Sequence, residues 1–291
     1  MTTLLRTAVS GVVVGLVFAA TVIISRLVLQ PLGLGLPRAP AQAPEDVAGY
    51  YLVAGSIGLA AGTVWLVQGL EASTLRRWSV TFAFVFVGFA LSTTLEAGIY
   101  SAADGVVLTV LLFLLPCLAL SIVQVMISRI DKTPSPGPAA LGRGSHRRDL
   151  AWRLGAAVLA FPVIYFVFGI IASPIVAGYY TEGVAGLVLP STVLIVGTQI
   201  FRGVLHVAII LLVMQIWGRS RRQLVIALTA SFFVFVTMYD VVLAYEMPIV
   251  LTVTHAVEVL ADSFVFSWIV VVLLEPLVIS LDGSRSLPNK R

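Results

Sequence analysis

The chain has 291 residues, of which 59% are hydrophobic and only 11% are charged. Soluble globular domains carry about 25% charged residues, and the mean hydropathy of +1.05 therefore excludes that class and predicts a protein that crosses a membrane several times. The formal net charge of +4 does not indicate nucleic-acid binding, because the basic residues fall in short clusters between apolar runs, as membrane topology requires.

Eight apolar segments are long enough to cross the bilayer as helices, which takes about 20 residues each. We therefore predict an all-α fold, a polytopic transmembrane helical bundle with eight spans. The predicted spans cover residues 7–29, 48–70, 78–99, 105–129, 151–173, 191–217, 223–245 and 249–276. The first segment exceeds the apolar region of a signal peptide, about 7–15 residues, and we expect it to remain as a membrane helix.

The longest hydrophilic segment, residues 131–149, is rich in proline, glycine and basic residues and is predicted to be a linker. It separates a first four-helix transmembrane unit (1–130) from a second (150–279), which is followed by a tail (280–291). If the N-terminus lies in the cytoplasm, fifteen of the eighteen Lys and Arg residues fall in cytoplasmic loops or tails, as the positive-inside rule requires. We expect a cytoplasmic basic linker, two cytoplasmic termini and a plasma-membrane location, with the short loops favouring a prokaryotic inner membrane.

Three pairs of similar segments indicate two parallel four-helix repeats. The pairs are 6–18 with 153–165, 81–87 with 230–236, and 106–110 with 249–253, at separations of 147, 149 and 143 residues. The alternative is that apolar helices resemble one another by chance. If the repeat is real, His255 corresponds to Leu112, Glu258 to Leu115 and Asp262 to Ala119, which places the ionisable residues in the second unit alone.

Two stripes of polar residues interrupt the apolar spans of the second unit. Each stripe follows the i, i+3, i+7 spacing of one helix face: Gln199, Arg202 and His206 in span six, and His255, Glu258 and Asp262 in span eight. Ionisable side chains are costly inside a bilayer and usually face a bundle interior or a water-filled cavity. We therefore interpret these six residues as the candidate functional site.

The two stripes lie at equal depth when residues are counted from the outer ends of their spans. If spans six and eight are neighbours, the predicted pairs are Arg202 with Glu258, His206 with Asp262, and Gln199 with His255. Acidic residues of other spans and loops are expected near the outer end of the site. Asp240 and Glu246 are included in the predicted substrate- or ion-binding set, and Tyr245 and Glu96 are expected to rim an outer mouth.

Three chemistries fit this set of residues, beside the purely structural role of a charge pair that fixes helix register. The first is ion- or proton-coupled transport, in which carboxylates and histidines form a relay and Arg202 is a fixed counter-charge or an anion ligand. The second is a metal-dependent intramembrane enzyme, with zinc or iron held by His206, His255, Glu258 and Asp262. The third is an enzyme acting on a lipid or membrane-embedded substrate with His255 as general base.

Several observations rank these alternatives. The two histidines are offset by about 12 Å along parallel helix axes, which disfavours a shared metal. Motifs for a serine nucleophile, a phosphate-binding loop or a diphosphate site are absent from the sequence. We therefore favour a transporter, with an enzyme or a structural subunit of a membrane complex as alternatives. The expected partners are the lipid bilayer and a small solute or ion.

Overall fold

The computed structural model describes residues 3–29, 45–100, 106–128, 147–184, 187–243 and 248–279. These residues form eight long helices, which we number in chain order. Their bounds are α1 Thr3–Leu29, α2 Glu45–Gly69, α3 Thr74–Tyr100, α4 Val106–Ile127, α5 Arg147–Thr181, α6 Thr192–Met214, α7 Arg221–Leu243 and α8 Ile249–Ile279. The predicted all-helical class is confirmed for the described part of the chain.

Seven of these helices, α1 to α6 and α8, are long and apolar enough to cross a membrane. Helix α7 occupies the position of the remaining predicted span, 223–245, and has 23 residues. Helix α5 is longer than the predicted span 151–173, because it continues through Pro162 and Pro174 to Thr181. Membrane helices tolerate such prolines when neighbouring groups satisfy the freed backbone carbonyls.

Helix α3 contains a π-helical turn, Phe86–Leu91, between two α-helical parts. A π-turn inserts one residue and changes which side chains face a neighbouring helix. Gly88 lies within this turn, and a Cβ atom there would be 2.6 Å from Cε2 of Phe235 in α7. The close approach of α7 therefore requires glycine at this position. The sequence pattern did not predict the π-turn.

The helices of the two predicted units pack in the same way. In the first unit α1 contacts α2 and α4, and α3 contacts α4; in the second α5 contacts α6 and α8, and α7 contacts α8. Between the units α2 packs on α7, and α3 packs on α6. If the two units are exchanged, each helix contact within the first unit corresponds to one within the second. The α2–α7 contact likewise corresponds to the α3–α6 contact.

The turn between α2 and α3 meets the turn between α6 and α7, where Leu70 and Trp217 form an antiparallel bridge. The Glu71 N–H donates to the Ile216 carbonyl at 2.6 Å, and the Gly218 N–H donates to the Gly69 carbonyl at 3.0 Å. Positions 69 and 71 correspond to positions 216 and 218 at a separation of 147 residues. Exchanging the two turns therefore converts each of these bonds into the other. The bridge thus lies on an approximate two-fold axis that relates the units.

The burial pattern shows the register of this symmetry. A buried residue of α2 has a buried counterpart in α6, 147 positions later in the chain. The pairs are Leu59 and His206, Ala60 and Val207, and Leu66 and Val213. Exposed residues of α4 and α8 recur at 146, as in Leu111 and Val257, Leu114 and Leu260, Ile122 and Trp268, and Met126 and Val272. Buried residues of α3 and α7 recur at 147, as in Val80 and Ala227, and Val85 and Phe232. The separations of 149 and 143 in the sequence comparison are therefore out of register. In the structural register Glu258 corresponds to Leu112 and Asp262 to Pro116.

Basic side chains collect at the end of the bundle that carries the Leu70–Trp217 bridge. Arg219 donates to the Gln68 carbonyl at 2.9 Å, and Arg153 donates to the Leu273 carbonyl at 3.2 Å. Arg77 is buried there and donates to the carbonyls of Val67 and Ser128, near the C-terminal ends of α2 and α4. The negative ends of two helix dipoles thus stabilise a buried guanidinium. We call this end the basic end.

Candidate functional site

The second unit, together with α3 of the first, lines a cavity of about 280 Å³. Ligand cavities in proteins begin at about 300 Å³, so this one is of the size that holds a small molecule. Its walls come from α3, α5, α6, α7 and α8. The ionisable side chains that line it are Glu96, Tyr100, Tyr165, Tyr180, Arg202, His206, His255, Glu258 and Asp262. The whole α8 stripe and two residues of the α6 stripe, Arg202 and His206, therefore face one cavity, whereas Gln199 does not line it.

The cavity extends from the ends of α3 and α5 toward the middle of the bundle. Tyr100, Tyr180 and Leu189 line it at the end opposite the basic end, and His206 and Phe266 line it deeper in the bundle. Between these deeper residues and the basic end, α6, α7 and α8 contribute buried apolar side chains. These residues are Ile210, Val213, Leu228, Val270 and Leu274. The structure thus has a cavity at one end and a packed core at the other.

Arg202 is the centre of a buried polar cluster. Its side chain is 4% exposed, and its Nη2 lies 2.7 Å from Oε2 of Glu96 in α3. Nη1 donates to Oε1 of Gln199 at 2.8 Å, and Nε donates to Oγ of Ser92 at 2.9 Å. The guanidinium also lies over the ring of Phe161, 5.2 Å from its centroid. Each of the three nitrogens of Arg202 therefore has a partner within the protein.

The predicted pair of Arg202 with Glu258 is wrong. Helices α6 and α8 contact each other only over a short stretch, whereas α3 packs along α6. Glu96, expected at an outer rim, is the residue that neutralises Arg202. Ser92 and Glu96 follow the π-turn at a spacing of four, so both face α6. The sequence places Ser92 and Glu96 on one helix face, but it does not show that this face meets α6.

His206 occupies an aromatic pocket below Arg202. Its ring centroid lies 4.7 Å from that of Phe161, 4.9 Å from Phe232 and 6.0 Å from Phe266. Nε2 is 2.9 Å from Oγ of Ser92, and buried Nδ1 has no hydrogen-bond partner among the described residues. Ser92 therefore takes the place of the predicted partner Asp262.

The α8 stripe forms the opposite wall of the cavity. Nδ1 of His255 lies 3.5 Å from Oε2 of Glu258, one helical turn away. The predicted pair of His255 with Gln199 is also wrong, because Gln199 Oε1 accepts from Arg202 and its Nε2 has no hydrogen-bond partner among the described residues. Asp262 has a buried Oδ1 with no hydrogen-bond partner in the described part of the chain. These two carboxylates, Glu258 and Asp262, thus face the cavity without the guanidinium that the sequence analysis assigned to them.

Two tyrosines complete the site, and the sequence analysis did not select them. The hydroxyls of Tyr100 in α3 and Tyr165 in α5 are hydrogen-bonded to each other. The ring of Tyr180 packs edge-on against Tyr100, with centroids 5.8 Å apart. The available signal was the position of Tyr165 near the middle of an apolar span, where a hydroxyl requires a partner.

Two predicted site residues cannot be placed in the cavity. The backbone of Asp240 belongs to α7, but its side chain lies outside the described residues, as do Glu246 and Tyr245. The predicted zinc or iron ligands were His206, His255, Glu258 and Asp262. Among the described residues, no group of three or more His, Cys, Asp or Glu side chains could hold a metal ion. These four side chains line one cavity but do not form a metal-ligand set.

The first unit fills the corresponding space with apolar side chains. In the structural register Tyr165 corresponds to Phe18 and His206 to Leu59, both of which are fully buried. Phe18 packs against Phe89 and Phe113 with ring centroids 5.9 and 6.3 Å away. The two units therefore differ at corresponding positions: apolar side chains are packed there in the first unit, and ionisable side chains line a cavity in the second.

Comparison of the chain with protein-family models, with curated protein sequences and with solved structures gives no significant match. The function is therefore inferred from the geometry of the cavity.

Proposed function

We propose that this protein is an ion- or proton-coupled transporter of small solutes, and that the cavity of the second unit binds the transported species. The observation that supports this most directly is the difference between the two units. One has a packed aromatic centre, and the other has a cavity lined by acids, an arginine and histidines. Ionisable residues within membrane helices commonly mark the pathway of an ion or substrate.

The distribution of charge supports ion coupling. Glu96 neutralises Arg202, whereas Glu258 faces His255 and Oδ1 of Asp262 has no hydrogen-bond partner among the described residues. A carboxylate held away from water is costly unless it gains a proton or a cation. The α8 wall therefore favours uptake of a proton or another cation, which is the step that couples an ion gradient to solute movement.

The approximate two-fold symmetry supports alternating access. Parallel repeats related by an axis along the membrane normal occur in transporters, where the two halves rock about a central site. In our proposal the units arose by duplication, α7 is the eighth span, both termini are cytoplasmic and the membrane is the plasma membrane. The cavity would then open to the outside, and the Leu70–Trp217 bridge would close the cytoplasmic side.

Flux measurements in proteoliposomes test this proposal. The protein is reconstituted with a pH-sensitive dye inside, a pH gradient is imposed, and sodium, potassium and a panel of small amines, alcohols, carboxylates and sugars are added in turn. Transport predicts that at least one compound changes the internal pH faster than in empty liposomes, and that Glu258→Gln abolishes the effect. Glu275→Gln is the matched control, because it makes the same change in α8 at the Arg221 ion pair. Equal rates of internal pH change, together with equal uptake of labelled sodium, potassium and solutes, in protein-containing and empty liposomes would contradict the proposal.

The contact between His255 and Glu258 supports one alternative, an intramembrane enzyme that acts on a lipid. A carboxylate beside an imidazole can orient it as a general base. Incubation of the protein with membrane lipids, followed by mass spectrometry, tests this function: a lipid product that His255→Ala abolishes would favour the enzyme over the transporter. Metal analysis of the same two samples would show zinc or iron bound in wild type and lost in the variant if the enzyme is metal-dependent.

A further inference from the structure

We infer that the cavity binds a small organic cation, an ammonium group carried on an apolar body. This inference rests on the proposed transport function and names its substrate class. It depends on three features of the cavity. A buried carboxylate oxygen has no hydrogen-bond donor among the described residues, aromatic rings form a wall, and the nitrogens of Arg202 already have partners within the protein.

The first feature is the unused hydrogen-bonding capacity of buried polar atoms. Oδ1 of Asp262 is buried and has no hydrogen-bond partner among the described residues. Nδ1 of His206 is also without a partner there, and that side chain is 4% exposed. Buried polar groups nearly always have partners, and these two cavity-lining atoms are therefore available to hydrogen-bond a ligand. An ammonium N–H supplies the donor that Asp262 lacks.

The second feature is the aromatic lining around these atoms. Phe161, Tyr165, Phe166 and Tyr180 come from α5, and Phe232 and Phe266 face them from α7 and α8. Aromatic faces attract an organic ammonium through cation–π interactions, which are strongest when the cation is desolvated. Metal cations instead require several oxygen ligands, and no acidic and histidine group suited to a metal exists in the described part of the chain. The lining therefore selects an organic cation.

The third feature excludes an anionic substrate. Arg202 is the cationic side chain fixed in the cavity wall, but its three nitrogens already contact Glu96, Gln199 and Ser92. An anion would have to break the Glu96 pair and would then face three carboxylates. A cation is attracted by the carboxylates of Glu258 and Asp262 and does not have to break an existing ion pair of Arg202.

Binding measurements with three compounds of equal size and different charge test the inference. The full-length protein in lipid nanodiscs is titrated with phenylethylammonium, 2-phenylethanol and phenylacetate. We expect phenylethylammonium to bind at least tenfold more tightly than the other two, and Asp262→Asn to weaken it at least tenfold. Glu275→Gln should leave the affinity unchanged. Equal affinity for the three compounds, or no binding of the ammonium, would overturn the inference.

A steric variant tests the location without removing a charge. A Cβ atom at Gly169 would meet Oε1 of Glu258 at 3.7 Å, an ordinary contact, so a side chain there projects into the cavity. Gly169→Leu should weaken phenylethylammonium binding at least tenfold. Gly155→Leu is the matched control in the same helix, because a Cβ atom there meets nothing within 4 Å. Unchanged binding by Gly169→Leu would show that the ammonium binds elsewhere.

These outcomes separate the substrate class from the transport function. If phenylethylammonium does not bind but Glu258→Gln still abolishes a flux in proteoliposomes, the protein is a transporter and the substrate class is wrong. If the ammonium binds in the cavity but no compound of the panel moves, the binding site stands and the transport function fails.

Discussion

The partner of Arg202 can be tested by a double-mutant cycle. The perturbation is the replacement of Arg202, Glu96 and Glu258 by methionine, singly and in the pairs Arg202 with Glu96 and Arg202 with Glu258. Removing one partner of a buried ion pair costs about 3–5 kcal/mol, whereas replacing both by apolar side chains is often neutral. The structure pairs Arg202 with Glu96, so only that double variant should regain stability.

The expected magnitude follows from the contacts that remain. In Glu96→Met, Arg202 keeps its hydrogen bonds to Gln199 and Ser92 at 2.8 and 2.9 Å, and the Glu96 side chain is 16% exposed. Both facts reduce the destabilisation caused by Glu96→Met, so we expect a loss of about 2–3 kcal/mol in the free energy of unfolding. The coupling energy between positions 202 and 96 should be about 2 kcal/mol, and that between 202 and 258 below about 1 kcal/mol.

The assay is reversible unfolding of the purified variants in mixed micelles, with increasing SDS followed by tryptophan fluorescence. A coupling energy at 202 and 258 that equals or exceeds the one at 202 and 96 would refute the assigned pairing. It would instead support the pairing inferred from helix depth alone.

Two further predictions concern the helix packing. In a Cys117→Ser background, Leu70→Cys with Trp217→Cys should form a disulfide, because paired residues of this non-hydrogen-bonded type have Cα atoms about 4.5 Å apart. If the bridge must open during transport, oxidation of the two cysteines should stop flux in proteoliposomes, and a reductant should restore it. Full flux in the oxidised protein would show that the basic end need not open. Gly203→Ala should lower the free energy of unfolding by about 1–3 kcal/mol, because its Cβ atom would lie 2.6 Å from the Val158 carbonyl oxygen. Gly197→Ala, which meets nothing within 4 Å, should be neutral or slightly stabilising, and equal losses in the two variants would contradict the tight α5–α6 contact.

The internal repeat shows how far sequence comparison reaches in an apolar protein. Three short similarities indicated parallel units, and the first of them, at 147 residues, has the separation that the backbone bridge at Leu70 and Trp217 requires. The other two were out of register by a few residues. Side chains such as Val, Leu and Phe are interchangeable at a lipid-facing surface, so their order carries little information about register. Burial in the bundle resolves the register because buried positions face specific neighbours.

The candidate site was predicted as a set of residues and not as a set of contacts. Helical periodicity placed Arg202 and His206 on one face, and His255, Glu258 and Asp262 on another, and the structure brings both faces to one cavity. Periodicity describes one helix at a time, however, and contains no information about which helices are adjacent. Glu96 and Ser92 became visible as partners only when α3 was found beside α6.

By itself the sequence determined that this chain forms helices long and apolar enough to span a membrane, because a bilayer accepts long apolar segments only when every backbone group is bonded within the helix. It also determined which side chains are too costly to face lipid. The tertiary structure decided what those side chains contact, where the π-turn of α3 lies, and that one unit is packed with aromatic rings while the other contains a cavity. These features depend on close packing between helices that are distant in the chain, and such packing is a property of the assembled bundle.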